Sequence, residues 1–327
     1  MAATESYIEG APPGAFAPQR GTRPMSRLTT VLGATGLLGG AICQRLTAAG
    51  RPVRALVRPT SDPARRQRLE RLGVDLWPGD LKEPPSLRAV CQGAQAVIST
   101  ATCMLSRQAG DSIQSVDLEG QRALIEAARS AGVEHFVFIS FVPLQERFPL
   151  QEAKRVVEQE LMRSGIPCHT ILRSGFFTEV WLGPALGFDP ENARARIYGT
   201  GLGRLNWISF EDVAKFAVGA LEHPRARNTI LELGGEEALS QLEMVRLLEG
   251  LDGRDWVLDR IPEQVLRSRF KEATEPRQQS FAALVLNVAR GCLTDPGPAL
   301  QAIPIQLTRV SDPARWARRN DDARKEG

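Results

Sequence analysis

The chain has almost no excess of charge of either sign. Its 41 basic and 38 acidic residues leave a formal net charge of +3, too small and too scattered for the electrostatic footprint of a nucleic-acid binder. Long apolar runs are also missing. The longest are strand-length and broken by Gly, Pro or charge, so no membrane span of about 20 apolar residues is expected. The chain reads as a soluble, cytoplasmic protein whose partners are small molecules. Histidine is scarce, and the five cysteines (Cys43, Cys91, Cys103, Cys168, Cys292) are odd in number, scattered and without a Cys-x-x-Cys pair. A disulfide framework and a metal site are therefore not expected, and free thiols buried in a reducing compartment are. Residues 1–26 are rich in Ala, Pro, Gly and Thr but lack the basic start and apolar stretch of a secretory signal. They read as a disordered tail, with Met25 as a candidate start.

What the chain does contain is alternation. Short β-branched runs at 28–32, 53–57, 74–77, 96–99, 136–139 and 169–172 are separated by helical stretches, the pattern of a parallel sheet with crossover helices. Gly50, Gly132 and Gly165 stand where helices over 37–49, 117–131 and 151–164 would end. Beyond Leu172 the regularity weakens. A strand and helix are expected within 207–221, where Ser209 and Asp212 have capping-box spacing, then a strand at 229–233, a helix at 241–249 and a mixed-charge helical tail. The fold class is α/β: a Rossmann-like doubly wound parallel sheet with its core in 27–175. Residues 176–327 would carry a small substrate lobe and the returning strands and helices of the core.

The segment Gly33-Ala-Thr-Gly36-Leu-Leu-Gly39 follows an apolar strand and opens a helix, the context of a dinucleotide fingerprint. Gly33 permits the turn, Gly36 lets backbone approach a pyrophosphate, and Gly39 lets the helix pack close. The N–H groups of Thr35, Leu37 and Leu38 lie at the anion-attracting helix start, and Thr35 adds a hydroxyl. An acidic residue at the end of the second strand would hold a ribose diol, but Arg58 stands there, followed by Thr60 and Ser61. These groups suit a 2′-phosphate, so NADP(H) is expected ahead of NAD(H); a solvated loop arginine is the alternative. Outside the later strand ends, Asp80 and Leu81 could meet the adenine, with Asp80 equally readable as a turn residue after Pro78-Gly79. Ser99, Thr100 and Ala101 fall where small residues let a cofactor lie over the sheet edge.

These blocks, with Phe136-Val-Phe-Ile-Ser140, Lys154 and its helix, and Ile171-Leu-Arg-Ser-Gly-Phe-Phe177, resemble the NmrA-like atypical short-chain dehydrogenases/reductases over roughly residues 27–250. Trp207-Ile-Ser-Phe-Glu-Asp212 and Leu231-Glu-Leu-Gly-Gly235 resemble that family's later blocks. The resemblance implies a Rossmann-like domain, a preference for NADP(H), and a C-terminal lobe over the nicotinamide. It also implies a mixed set of functions, from reductases to members that bind the nucleotide as redox sensors or assembly factors.

Short-chain dehydrogenases usually place a Tyr four residues before a Lys, but here Leu150 precedes Lys154, and the only tyrosines are Tyr7 and Tyr198. Reductases of the resembling family can rely on a Lys instead, which makes Lys154 the candidate proton donor, or holder of ribose and substrate, beside Ser140. Periodicity alone would read Lys154 as a solvated helix residue. Met104, Phe141, Phe176, Phe177 and Trp181 are candidate walls of an apolar pocket for a hydrophobic or aromatic substrate, with Phe177 and Trp181 equally readable as core. The leading reading is an NADPH-dependent reductase of a hydrophobic carbonyl, quinone or conjugated substrate. The alternative is a non-catalytic NADP(H)-binding sensor, regulator or assembly factor with a protein partner.

Overall fold

The structure, a computed structural model, describes residues 27–106, 108–313 and 316. The tail expected over 1–26, with Met25, lies outside the described residues. The strands are β1 (Thr29–Leu32), β2 (Val53–Val57), β3 (Asp75–Pro78), β4 (Ala96–Ser99), β5 (His135–Phe141), β6 (Cys168–Ser174), β7 (Phe188–Asp189), β8 (Arg194–Tyr198), β9 (Arg204–Asn206), β10 (Thr229–Leu233), β11 (Ala238–Ser240) and β12 (Val257–Ile261). Seven of them form one parallel sheet in the order β10-β6-β5-β4-β1-β2-β3. This is the Rossmann-like doubly wound arrangement expected. Its strand order reverses between β1 and β4, where such sheets open a crevice at their carboxyl edge.

The helices are α1 (Leu37–Ala48), α2 (Pro63–Arg71), α3 (Pro84–Cys91), α4 (Gln121–Ser130), α5 (Pro149–Arg163), α6 (Thr178–Trp181), α7 (Phe210–Ala220), α8 (Gln241–Asp252), α9 (Glu263–Glu272), α10 (Pro276–Arg290) and α11 (Gly297–Ala302). Alternate strand residues feed two cores. Val31, Ile98, Val137 and Ile139 face α1, α7 and α11, whereas Leu32, Val97, Phe136 and Phe138 face α3, α4 and α5. Burial on both faces is why the central strands read as near-continuous apolar runs.

Three expectations need correction. The helix expected from residue 117 starts earlier, as a π-helical segment Ile113–Gly120 that runs into α4 and is capped by Ser112 and Ser115. Asp117 is thus inside a helix and buried. The Ser209–Asp212 capping box is only half made: Ser209 Oγ accepts the Asp212 N–H at 3.0 Å, but the Asp212 carboxylate turns to Lys215 Nζ at 2.6 Å and to Thr308 N at 2.9 Å. The strand expected near 207 is shifted to β9, with Ile208 bridging Phe177.

A third core, built on Phe176, Trp181, Trp207 and Trp256, joins β8, α8 and α10. Helix α10 ties this part to the sheet: Ser280 Oγ accepts the Leu150 N–H at 3.1 Å, and Asn287 Nδ2 donates to Glu146 at 2.7 Å. All five cysteines are free, four buried and Cys292 half-buried. Among the described residues no helix is long and apolar enough to cross a membrane.

Candidate functional site

The glycine turn lies at the carboxyl end of β1, at the point where strand order reverses. Gly33 has φ +79°, and a Cβ there would meet Thr100 Oγ1 at 2.5 Å; a Cβ on Gly39 would fall 2.2 Å from the Gly33 carbonyl oxygen. Both positions therefore require glycine, the first for its backbone conformation and both for close approach. Gly36 and Leu37 are exposed, and α1 starts after Gly36 without a side-chain cap. A helix start lacking its own cap, at an open turn, suits an anion such as a pyrophosphate. Leu38 is buried in the core, while the Thr35 carbonyl accepts from Arg65 Nη1 at 3.3 Å. Thr100 donates to the Leu32 carbonyl at 3.0 Å, and the neighbouring Ala101 carbonyl accepts from Gln121 Nε2, also at 3.0 Å.

At the adjacent strand ends, Arg58 Nη1 lies 2.6 Å from Asp111 Oδ2, and Lys82 and Ser106 bond to the same carboxylate. Burial would raise the Asp111 pKa, but the bonds from Lys82, Ser106 and Arg58 hold it below the usual carboxylate range. Asp80 accepts the Lys82 N–H at 2.9 Å and pairs with its ammonium at 3.3 Å, so it is at least a turn residue. Leu81 is buried, close beneath Gly120.

Lys154 is not a solvated helix residue. Its Nζ donates to the Ile139 carbonyl at 3.1 Å, sits 4.8 Å from the Phe138 ring centre, and lies 3.8 Å from Asp117 Oδ1. Burial lowers the ammonium pKa, with Asp117 and Glu158 opposing. The other oxygen of Asp117 accepts the Cys103 N–H at 2.9 Å, and Oδ1 has no hydrogen-bond partner. Ser99 and Ser140 are buried and committed: Ser99 donates to Gln121 at 2.8 Å, and Ser140 donates to Glu158 at 2.6 Å. Glu158 also binds Arg155, and Arg173 at 2.6 Å. Hence Ser140 belongs to a buried ionic network one strand residue away from the Lys154 contact.

The five candidate wall residues do not form one surface. Phe176 meets Trp181 edge-on at 5.3 Å, and Trp181 stacks on Phe281 of α10 at 6.3 Å. Phe177 turns to the opposite face and packs on Phe210 at 4.4 Å. Phe141 stacks on Phe148 at 5.9 Å, and Met104 is half-buried against the α3–α5 side. Arg277, also of α10, donates to the Ser106 carbonyl at 3.2 Å.

Sequence reasoning left out Lys82, Asp111, Asp117 and Phe281. For Asp117 a signal existed: it shares a helical stripe with Ile113, Val116 and Gly120, and a lone carboxylate on an apolar stripe implies a buried partner. Asp111 offered none, because its two cationic partners are 53 and 29 residues away.

The family model of the NmrA-like family matches residues 25–286. The photosystem II assembly factor Ycf39 of Trieres chinensis is 32% identical over 237 residues, 71% of each chain. The NAD(P)H azoreductase of Xenophilus azovorans is 32% identical over 227 residues, 68% of this chain and 73% of its own. Among solved structures, the triphenylmethane reductase of Citrobacter sp., complexed with NADP(H), superposes with a TM-score of 0.69 at 20% identity, over 88% of this chain and 99% of its own. That last likeness speaks for the fold.

Proposed function

The chain belongs to the NmrA-like family, and on that premise we propose that it is an NADP(H)-dependent reductase of a hydrophobic carbonyl, quinone or conjugated substrate. The observation that carries this reading is the buried Lys154–Asp117 pair at 3.8 Å, set below the carboxyl edge of the sheet on which the glycine turn opens. Gly33, Gly36 and Gly39 with the start of α1 would hold the pyrophosphate, and Arg58 the adenosine 2′-phosphate. A bound nicotinamide would supply the hydride. Lys154 would supply the matching proton, directly or through water, to the substrate atom on which negative charge develops. Its lowered pKa makes it a better acid than an ordinary lysine, and Asp117 opposes full loss of the proton. The azoreductase relative, named for a reduction, supports this reading.

The second reading is a nucleotide-binding regulator or assembly factor that does not turn over. Two observations favour it. Leu150, where a dehydrogenase tyrosine would stand, is core, and Lys154 is only 5% exposed. The Ycf39 relatives, named as assembly factors, point the same way.

The deciding experiment is NADPH oxidation by the purified protein across quinones, aromatic aldehydes and enones, beside Lys154→Ala. Turnover that falls about 100-fold or more in the variant, the scale of a lost general acid, supports the reductase reading with Lys154 as donor. Turnover that persists removes Lys154 from the mechanism. Tight NADPH binding without turnover supports the second reading.

A further inference from the structure

The adenosine end of the crevice holds a feature that the proposed nucleotide reading does not use. Strands β2 and β3 are neighbours, so Arg58, one residue past β2, and Lys82, four past β3, come together at the carboxyl edge. Both point at one carboxylate. That carboxylate, Asp111, comes from the segment after β4, and in the strand order β4-β1-β2-β3 this segment must cross the carboxyl end of β1 to reach them. It arrives fully engaged, with its side chain 2% exposed, bonded to Arg58 at 2.6 Å, to Lys82 and to Ser106 Oγ. Thr60 Oγ1, donating to Gln108 Oε1 at 2.6 Å, fastens the crossing. Asp80, 3.3 Å from the Lys82 ammonium, is the other carboxylate there.

Two cations converging on one buried anion, beside a glycine turn, are a preformed receptor for a phosphomonoester. A 2′-phosphate and a carboxylate would compete for it, because the same Arg58 and Lys82 donors cannot saturate both. We propose that Asp111 is a specificity-determining residue of the cofactor site: an internal surrogate for the 2′-phosphate, which NADP(H) must displace from Arg58 and Lys82 and which NAD(H) can leave in place. This rests on the nucleotide reading above. It sets the preference between the two nucleotides as a contest between a dianionic phosphate and a monoanionic carboxylate. It also makes Lys82, which the sequence reading passed over, a partner of Arg58.

The test is direct titration of the full chain with NADPH and NADH, followed by nucleotide fluorescence, for the native protein, Asp111→Asn, Ser106→Ala and Lys82→Met. Asp111→Asn should tighten NADPH by about tenfold, the scale of one charge-assisted hydrogen bond, with NADH changed by less than about twofold. Ser106→Ala, which loosens the same carboxylate more gently, should shift the ratio in the same direction by less. Lys82→Met should weaken NADPH selectively. An unchanged NADPH-to-NADH ratio in Asp111→Asn and Ser106→Ala, with both nucleotides still bound, overturns this inference alone. So does equal weakening of both nucleotides. Failure of the native protein to bind either nucleotide overturns the nucleotide reading as well.

Discussion

Replacing Asp117 by Asn removes the charge facing Lys154 while keeping the size of the side chain. The two groups are 3.8 Å apart, with side chains 6% and 0% exposed. At an effective dielectric of about 20, charges at this distance attract by about 4 kcal/mol, and breaking a buried pair from one side costs about 3–5 kcal/mol. Lysine itself sets a ceiling, since giving up its proton at pH 7 costs an ordinary lysine about 5 kcal/mol. Asp117→Asn is therefore expected to lose about 3 kcal/mol in urea unfolding at pH 7. In a Lys154→Met background no ammonium is left to strand, and Asn can still accept the Cys103 N–H, so the same substitution should cost under about 1 kcal/mol. The pH dependence has a definite sign. Burial already lowers the Lys154 pKa from 10.5, and removing Asp117 lowers it further. Between the folded and unfolded values the unfolded chain binds the extra proton, so stability rises with pH. The deficit of Asp117→Asn should shrink as pH rises from 7 towards 10. A double-mutant coupling below about 0.5 kcal/mol, or a deficit that does not change with pH, refutes this account of the pair.

Gly39→Ala would put a Cβ 2.2 Å from the Gly33 carbonyl oxygen, so α1 must shift away from the turn; a loss of about 1–3 kcal/mol is expected, with NADPH affinity falling while urea unfolding stays cooperative. Buried His135 has its pKa lowered to about 4, chiefly by burial, from the ordinary 6.5. Above pH 6.5 it is neutral in both states and contributes nothing; as pH falls towards 4 only the unfolded chain takes the proton, which should remove about 3 kcal/mol of stability. His135→Gln should flatten that part of the acid limb in denaturant titrations, and an unchanged limb would count against the shift.

Much of the architecture is legible because it is locally encoded. The expected strands at 53–57, 96–99 and 229–233 coincide with β2, β4 and β10. There the apolar, β-branched run and its turn residues lie in the same few positions. Two strands extend past their apolar runs. β5 runs on through Ser140 and Phe141, and β6 through Arg173 and Ser174, beyond the apolar stretch. Ser140 and Arg173 stay in their strands because Glu158 of α5 receives both. A polar residue in a strand looks like the strand's end until its distant partner is known.

The candidate site divides along the same line. The glycine spacing is legible, since each glycine answers a backbone demand within a few residues, as Gly39 does towards Gly33. The charges are not, because a side chain's environment is set by whatever the topology brings to it. Arg58 read alone is a free cation awaiting a phosphate, yet the passage of the segment after β4 across the sheet edge gives it Asp111. Lys154 read alone is a solvated helix lysine, yet the π-helical segment supplies Asp117 and the strand supplies the Ile139 carbonyl. In both cases the decisive carboxylate lies between Ser99 and α4, on a connection that also meets the glycine turn through Thr100 and Arg277 of α10 through Ser106. The same stretch is also braced from within, because the Asp117 carboxylate that faces Lys154 accepts the Cys103 N–H at 2.9 Å, so one connection supplies the anion at both cation sites and neither anion could be matched to its cation from its neighbours in sequence.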